Sequence, residues 1–143
     1  MFAGRFNHTL DAKGRIIIPS KLREALGDSF VVSAGLDGCL YLYSEEGWEA
    51  FSEELFEKVP QTQEGRKLIR YFTANSAPCE SDKQGRSLLP AELRSLAGIT
   101  RDVVLVGALN KIEVWDKDRY EAASDISSVE EMAEKMAGFG VRF

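Results

Sequence analysis

The stretch RFNHTL, residues 5 to 10, sets Phe6, His8 and Leu10 against Asn7 and Thr9, the two-residue period of a half-buried strand. Asp11-Ala12-Lys13-Gly14 follows, with Asp first and Gly last as a type I turn prefers. Gly14 offers the positive φ that tight hairpins need. RIIIP then returns as a β-branched strand that Pro19 ends. Ser20 is the expected N-cap of a short helix over KLREAL, with Gly27 closing it. SFVVSAG and CLYLYS read as a hairpin around Asp37-Gly38. The pattern is strand, turn, strand, helix, hairpin.

The same pattern is written twice. Shifted by 71 positions, Asp11 meets Asp82, Gly14 meets Gly85, Arg15 meets Arg86, Pro19 meets Pro90, and Gly27 meets Gly98. One inserted residue later, Leu40 meets Ile112, Tyr43 meets Trp115, and Trp48 meets Tyr120. The second copy has its own short helix in AELRSL and its own hairpin around Asn110-Lys111. Two copies of about 70 residues are too few and too long for a solenoid. They suggest two half-units packed about a pseudo-twofold axis and sharing one core.

Between and after the copies the period becomes helical. SEEGWEAFSEELFEKVP begins at a Ser44 cap and spaces Trp48, Phe51, Leu55 and Val59 along one helix face, and Pro60 stops it. Such an aromatic stripe is expected to be core or interface. EGRKLIRYFT forms a second, basic helix, and DKDRYEAASDISSVEEMAEKM, residues 116 to 136, supplies one weaker helix near the C-terminus. The chain thus divides into a first repeat at residues 5 to 47, connecting helices at 48 to 75, a second repeat at 76 to 119, and a C-terminal helix and tail at 120 to 143.

At 143 residues and 44% hydrophobic composition the chain is long enough to bury a core. Its apolar runs are far shorter than the ~20 residues of a membrane span, and the first residues lack the apolar core of a signal peptide. A cytoplasmic protein with no membrane partner is expected. Cys39 and Cys79 stand far apart beside a single histidine, so two reduced thiols are expected and neither a disulfide nor a metal site. His8 reads as a surface or barrel-edge residue.

The net charge of −5 argues against a general polyanion binder, but its distribution reverses that. Residues 1 to 23 carry Arg5, Lys13, Arg15, Lys21 and Arg23 against Asp11 alone, whereas Glu45, Glu46, Glu49, Glu53, Glu54 and Glu57 run without a base. A basic face on an acidic protein follows.

That basic face holds the candidate chemistry. Asp11 and Arg15 lie across a tight turn, as do Asp82 and Arg86. An exposed ion pair contributes only ~0–1 kcal/mol, so a hairpin lock alone is a weak reason to write it twice. With Lys13, Lys21, Lys83 and Arg94 nearby, the turns gather donors suited to phosphate or to a guanine edge. A rigid turn carrying an Arg suits a β-ribbon groove reader. The enzymatic alternative, a carboxylate dyad with one Asp from each copy, fails on its neighbours. Lys13 and Lys83 lie beside the carboxylates and favour the charged form over a shared proton. No phosphate-binding or zinc-protease motif occurs. The expectation is no enzyme, no cofactor and no small-molecule substrate.

LDAKGRIIIPSKLRE, SDKQGRSLLPAELR and above all VVLVGALNKIEVWD, in this two-copy layout, resemble the MraZ family over about residues 1 to 125. The resemblance implies an α+β fold with a mainly β core, in which each copy is an AbrB-like (SpoVT-AbrB) half of a swapped-hairpin β-barrel with flanking helices. It implies a ring-shaped homo-oligomer and a transcription regulator of the nucleoid. Such a regulator binds double-stranded DNA at repeated boxes upstream of the division and cell-wall gene cluster that contains its own gene. The family's D-x-x-x-R motif falls on Asp11 and Arg15 and on Asp82 and Arg86. Arg15 is then the first DNA contact and Lys13 the second, with Arg5, Arg86, Lys83 and Lys21 in support. Asp11 and Asp82 orient the arginines, and Gly14 and Gly85 shape the turns. In the second copy Glu92 replaces Lys21 and Ser87 replaces Ile16, so that copy is the less basic. The rival reading is an AbrB-fold interaction or antitoxin-like module, with the basic turn structural and the helix at 44 to 59 as partner surface.

Overall fold

The computed structural model describes residues 1 to 143. The first half of the chain forms β1 (Arg5–Thr9), β2 (Arg15–Ile17), α1 (Ser20–Leu26), β3 (Ser29–Ala34), β4 (Leu40–Ser44), α2 (Glu45–Lys58) and α3 (Gln63–Ala74). The second half repeats the order with β5 (Ser76–Glu80), β6 (Arg86–Leu88), α4 (Ala91–Leu96), β7 (Asp102–Gly107) and β8 (Ile112–Asp116), then α5 (Lys117–Ala123) and α6 (Val129–Ala137).

Six strands make one antiparallel sheet in the order β1-β7-β8-β4-β3-β5, and β2 and β6 make a separate two-stranded ribbon. The copies exchange strands. β1 pairs with β7 of the second copy, with Phe6 opposite Leu105, and β5 pairs with β3 of the first, with Cys79 opposite Phe30. The ribbon takes one strand from each copy. The hairpin expected between β1 and β2 is therefore only a turn: its two arms leave for different partners. The hairpins β3–β4 and β7–β8 form as expected. Positive φ falls on Asp37 and Gly38 in the first, and on Leu109 in the second.

The α+β architecture with a mainly β core stands, but the closed barrel does not. β1 and β5 are free edges, and closure requires edges to pair. The ribbon strands are three residues each, and Pro19 and Pro90 follow closely; an isolated bridge between Ser81 and Ser87 joins the ribbon to the end of β5. The ribbon is too short to zip the sheet shut. It serves instead as a cover on one face.

The layers follow from strand alternation. Leu40 and Leu42 of β4 join Val32, Leu105, Ile112 and Val114 in a cluster roofed by Ile16, Ile18 and Leu89 around the ribbon and by Leu22 and Leu93 of α1 and α4. Tyr41 and Tyr43, on the opposite face, join Trp115, Leu55 and Phe72 beneath α2 and α3. That explains why CLYLYS lacks a polar side: β4 is covered on both faces. The α2 stripe is core, with Phe51 stacked on Tyr43 at 5.2 Å and edge-on to Phe72 at 5.1 Å.

Two helix details differ from expectation. Pro19 and Pro90, not Ser20, are the N-caps of α1 and α4, without a side-chain hydrogen bond. The Pro19 carbonyl accepts from Leu22 and Arg23, both at 2.9 Å, and the ring presets φ. The single C-terminal helix is two, broken at residues 124 to 128, where the Asp125 side chain accepts from the Ser127 amide and competes with helix. The Ser44 cap is as expected, accepting from Gly47 at 3.0 Å.

Cys39 and Cys79 are buried free thiols. Burial, followed by the nearby charges of Glu113 and Asp37, pushes Cys39 up to about 12, and burial alone pushes Cys79 up to about 11. Thiolates are the reactive form, so a disulfide-exchange reagent at neutral pH should label neither in the native protein and both after unfolding. Fast labelling of the native state would contradict this burial.

Candidate nucleic-acid interface

Each Asp-to-Arg turn is built from one carboxylate. In the first, Asp11 Oδ1 accepts from the Lys13 and Arg15 amides, each at 2.9 Å, and Oδ2 accepts from Arg15 Nε at 2.6 Å. The backbone closes the loop, with the Gly14 amide donating to the Asp11 carbonyl at 3.0 Å. The second turn is its counterpart: Asp82 Oδ1 takes the Gln84 and Arg86 amides, and Oδ2 takes Arg86 Nε at 2.8 Å. Aspartate suits this place because its short side chain reaches the backbone two and four residues on.

Gly14 and Gly85 hold φ of 84° and 78°, and close approach adds a second demand for glycine. The Arg94 guanidinium lies against Gly14 and that of Arg23 against Gly85, where a Cβ would stand. Each copy's short helix thus buttresses the other copy's turn. Arg94 is half-buried, its Nε donating to the Leu89 carbonyl at 2.9 Å, so it belongs to the scaffold and not to an outward cationic set.

The Arg15 amide above all, with the guanidinium and the Lys13 amide, holds the Asp11 carboxyl below the usual carboxylate range. The Arg86 amide leads the same effect at Asp82. A depressed carboxyl stabilises the fold above its unfolded pKa of ~3.9 and loses that contribution as pH falls through the lower folded value. The Arg15 and Arg86 Nε protons should therefore remain slow to exchange at roughly pH 5 and be freed only by acidification below the ordinary Asp range. Release at milder pH, followed by NMR, would contradict these bonds.

The ribbon brings the arginines together. Arg15 faces Leu88, and Arg86 faces Ile17, so the four side chains share the outer face while Ile16 and Ser87 are buried beneath. The arginines sit on a diagonal. Arg15, Arg86 and Arg101 line one hollow of about 440 Å3 together with Asp11, Thr9 and Ile17. With Nε committed to the carboxylate, Arg15 has Nη1 and Nη2 free of protein partners. Arg86 donates Nη2 to Gln84 Oε1 at 2.8 Å. The two copies therefore offer unequal forks.

Lys13 and Lys83 are exposed in the turns, and Lys21 is exposed on the first turn of α1, next to the end of the ribbon. Arg5 is not brought to this face. It begins β1, about 13 Å along the strand from Thr9, and lines a different depression with Lys117, Tyr120 and Glu121. Arg101 and Gln84 belong to the site but have no signal in either copy alone. Arg101 arrives because its carbonyl accepts from the Leu10 amide at 2.8 Å across the exchanged pair β1–β7. Gln84 stands where the first copy has Lys13, and that substitution is its only trace.

Fold and site together define a tandem-repeat protein in which two related halves exchange strands and present arginines from twofold-related turns on a short ribbon. A family model described as "MraZ protein, putative antitoxin-like" matches residues 1–70 and 72–139. The chain is 52% identical to the Transcriptional regulator MraZ of Lachnoclostridium phytofermentans over the whole of both chains. It is 45% identical to that of Acetivibrio thermocellus, over 99% of this chain and 100% of the relative, and 44% identical to that of Ligilactobacillus salivarius, over 97% and 99%. The chain belongs to the MraZ family.

Proposed function

We propose that this protein is a sequence-specific, double-stranded-DNA-binding transcription regulator that acts without catalysis. The observation that carries the reading is the outer face of the β2–β6 ribbon, where Arg15 and Arg86 are each aimed by an aspartate and stand beside Arg101. Two antiparallel strands fit the major groove, which is ~12 Å wide. Arg15, with both terminal nitrogens free, addresses a guanine edge or a phosphate, and Lys13 is the second contact. Lys21, Lys83, Arg86 and Arg101 supply phosphate contacts, and Arg5 makes an outlying one. Asp11 and Asp82 orient the arginines; Gly14 and Gly85 shape the turns.

The relatives' name, transcriptional regulator, supports the regulatory role. The resemblance adds the target: repeated boxes upstream of the division and cell-wall gene cluster that includes the protein's own gene. A nucleoid location follows. A ring-shaped homo-oligomer presents the turn at fixed intervals and gains affinity from several boxes at once. α2, which carries the glutamates from Glu49 to Glu57, packs on the face of the sheet opposite the ribbon, away from phosphate.

The antitoxin-like reading draws on the family description. In its simplest form it needs the apolar stripe of α2 free for a partner, and Trp48, Phe51 and Leu55 are packed on the sheet instead. Titration of the whole protein with DNA from its own upstream region, against a scrambled duplex, separates the two. Preference for the native sequence, with log K falling linearly as log salt rises, is expected. Equal affinity for both duplexes would defeat the DNA reading.

A further inference from the structure

The outer face of the ribbon carries two side chains to which the arginine contacts give no task. Ile17 is 45% and Leu88 54% exposed, whereas their neighbours Ile16, Ile18, Ser87 and Leu89 turn inward and are buried. Strand propensity does not require an apolar residue at either place, because threonine suits an exposed strand position equally well. A large apolar side chain held in water among cations fits a ligand that is anionic outside and apolar within. Duplex DNA is such a ligand: phosphates border the major groove, and the thymine methyl is the apolar group inside it.

Ile17 and Leu88 are equivalent in the two copies, 71 positions apart, but their surroundings are not. Ile17 lines the hollow of about 440 Å3 with Arg15, Arg86, Arg101 and Thr9. On the Leu88 side the counterpart of Thr9 is Glu80. The place of Arg101 is taken there by Asp28, whose carbonyl accepts from the Ser81 amide at 2.8 Å just as the Arg101 carbonyl accepts from Leu10. Lys21 has Glu92 as its counterpart, and Glu80, Asp28 and Glu92 are all exposed. Phosphate is therefore attracted to the Ile17 side and repelled from the Leu88 side. Spacing points the same way. Arg15 and Ile17 are two residues apart on β2, a rise of ~6.6 Å, close to the ~6.8 Å of two base-pair steps.

We propose that Ile17 is a specificity-determining residue that packs on the 5-methyl group of a thymine within two base pairs of the guanine addressed by Arg15, and that Leu88 makes no such contact. The inference rests on the DNA-binding reading and adds to it a kind of recognition that the arginines do not supply. A guanidinium reads acceptor atoms; an apolar side chain reads the methyl.

The test titrates full-length protein with a duplex from its own upstream region in which each thymine in turn is replaced by deoxyuridine, a base that pairs identically and lacks only the methyl. With wild-type protein at least one replacement should weaken binding about 4-fold, the effect of burying one methyl group. The salt slope should not change, because no phosphate contact is lost. Ile17→Ala should bind the thymine duplex more weakly by a similar factor and should no longer distinguish it from the deoxyuridine duplex. Leu88→Ala should keep the difference. Insensitivity to every replacement, a difference that survives Ile17→Ala, or one that disappears in Leu88→Ala would each overturn the proposal. Should Ile17→Ala fail to fold, wild-type protein with labelled isoleucine methyls decides: a nuclear Overhauser contact between Ile17 Cδ1 and a thymine methyl is expected in the complex, and its absence would overturn the proposal equally. Preference for the native over a scrambled duplex is measured on the same samples. A protein that keeps this preference without any methyl effect loses the Ile17 contact alone, whereas a protein without the preference loses the DNA reading and this contact with it.

Discussion

Arg15→Ala is expected to remove most sequence-specific DNA binding while leaving the protein folded. The turn survives because Asp11 Oδ1 takes backbone amides at positions 13 and 15, which alanine retains. The loss is a forked donor with two free nitrogens, and a bidentate contact to guanine is worth ~1–3 kcal/mol, or roughly 5- to 150-fold in affinity. The freed Asp11 charge then faces phosphate and adds repulsion. In an oligomer that binds several boxes the loss multiplies across turns.

Three comparisons sharpen that expectation. Arg15→Lys keeps the charge but not the planar fork, so it should lose discrimination between duplexes more than total affinity. Arg86→Ala should cost less than Arg15→Ala, because Nη2 of Arg86 is already held by Gln84. Equal losses at the two positions would show that the copies read DNA alike. Unchanged affinity in Arg15→Ala would sink the role given to the turn.

The largest effect on stability is expected at the centre of the sheet. Leu42 is 0% exposed and lies on β4 between Val32 and Ile112, themselves 0% exposed. No neighbour has solvent on its far side, so collapse around a truncated side chain is restricted. Leu42→Ala should cost ~2–5 kcal/mol, a large part of the ~5–15 kcal/mol that holds an ordinary domain. The melting temperature should fall by about 5–20 °C at fixed protein concentration. Ile17→Ala is the control. Ile17 is 45% exposed on the outer face of the ribbon, and surface substitutions stay within ~0.5 kcal/mol. Comparable melting shifts for the two variants would mean that β4 is not the interior strand described.

Much of the local design was legible in the chain. The aspartate that opens each turn and pairs with the arginine closing it, the glycine at positive φ, the Asp37-Gly38 hairpin and the Ser44 cap all depend on neighbours a few positions away. Short-range chemistry leaves such marks in sequence. The repeat was legible too, because equivalent positions in two half-units face equivalent surroundings. Less readable was the start of α1, where a proline carbonyl serves instead of a serine hydroxyl. The gap between α5 and α6 was missed because an Asx-type bond and a helical pattern compete for the same residues.

The sequence by itself determined that two related halves carry the same Asp-to-Arg turn, the element order of each half, and the family those residues resemble. Tertiary structure alone decided which strands pair. It sent β1 to β7 and β2 to β6, left the sheet open, set Arg23 and Arg94 on each other's turns, and drew Arg101 beside Arg15 while leaving Arg5 apart. The reason is physical. A strand's alternation specifies which side is buried but not which neighbour accepts its hydrogen bonds, and every antiparallel partner of suitable length offers the same backbone groups. The choice is made by the shared core, which exists only once both halves have come together.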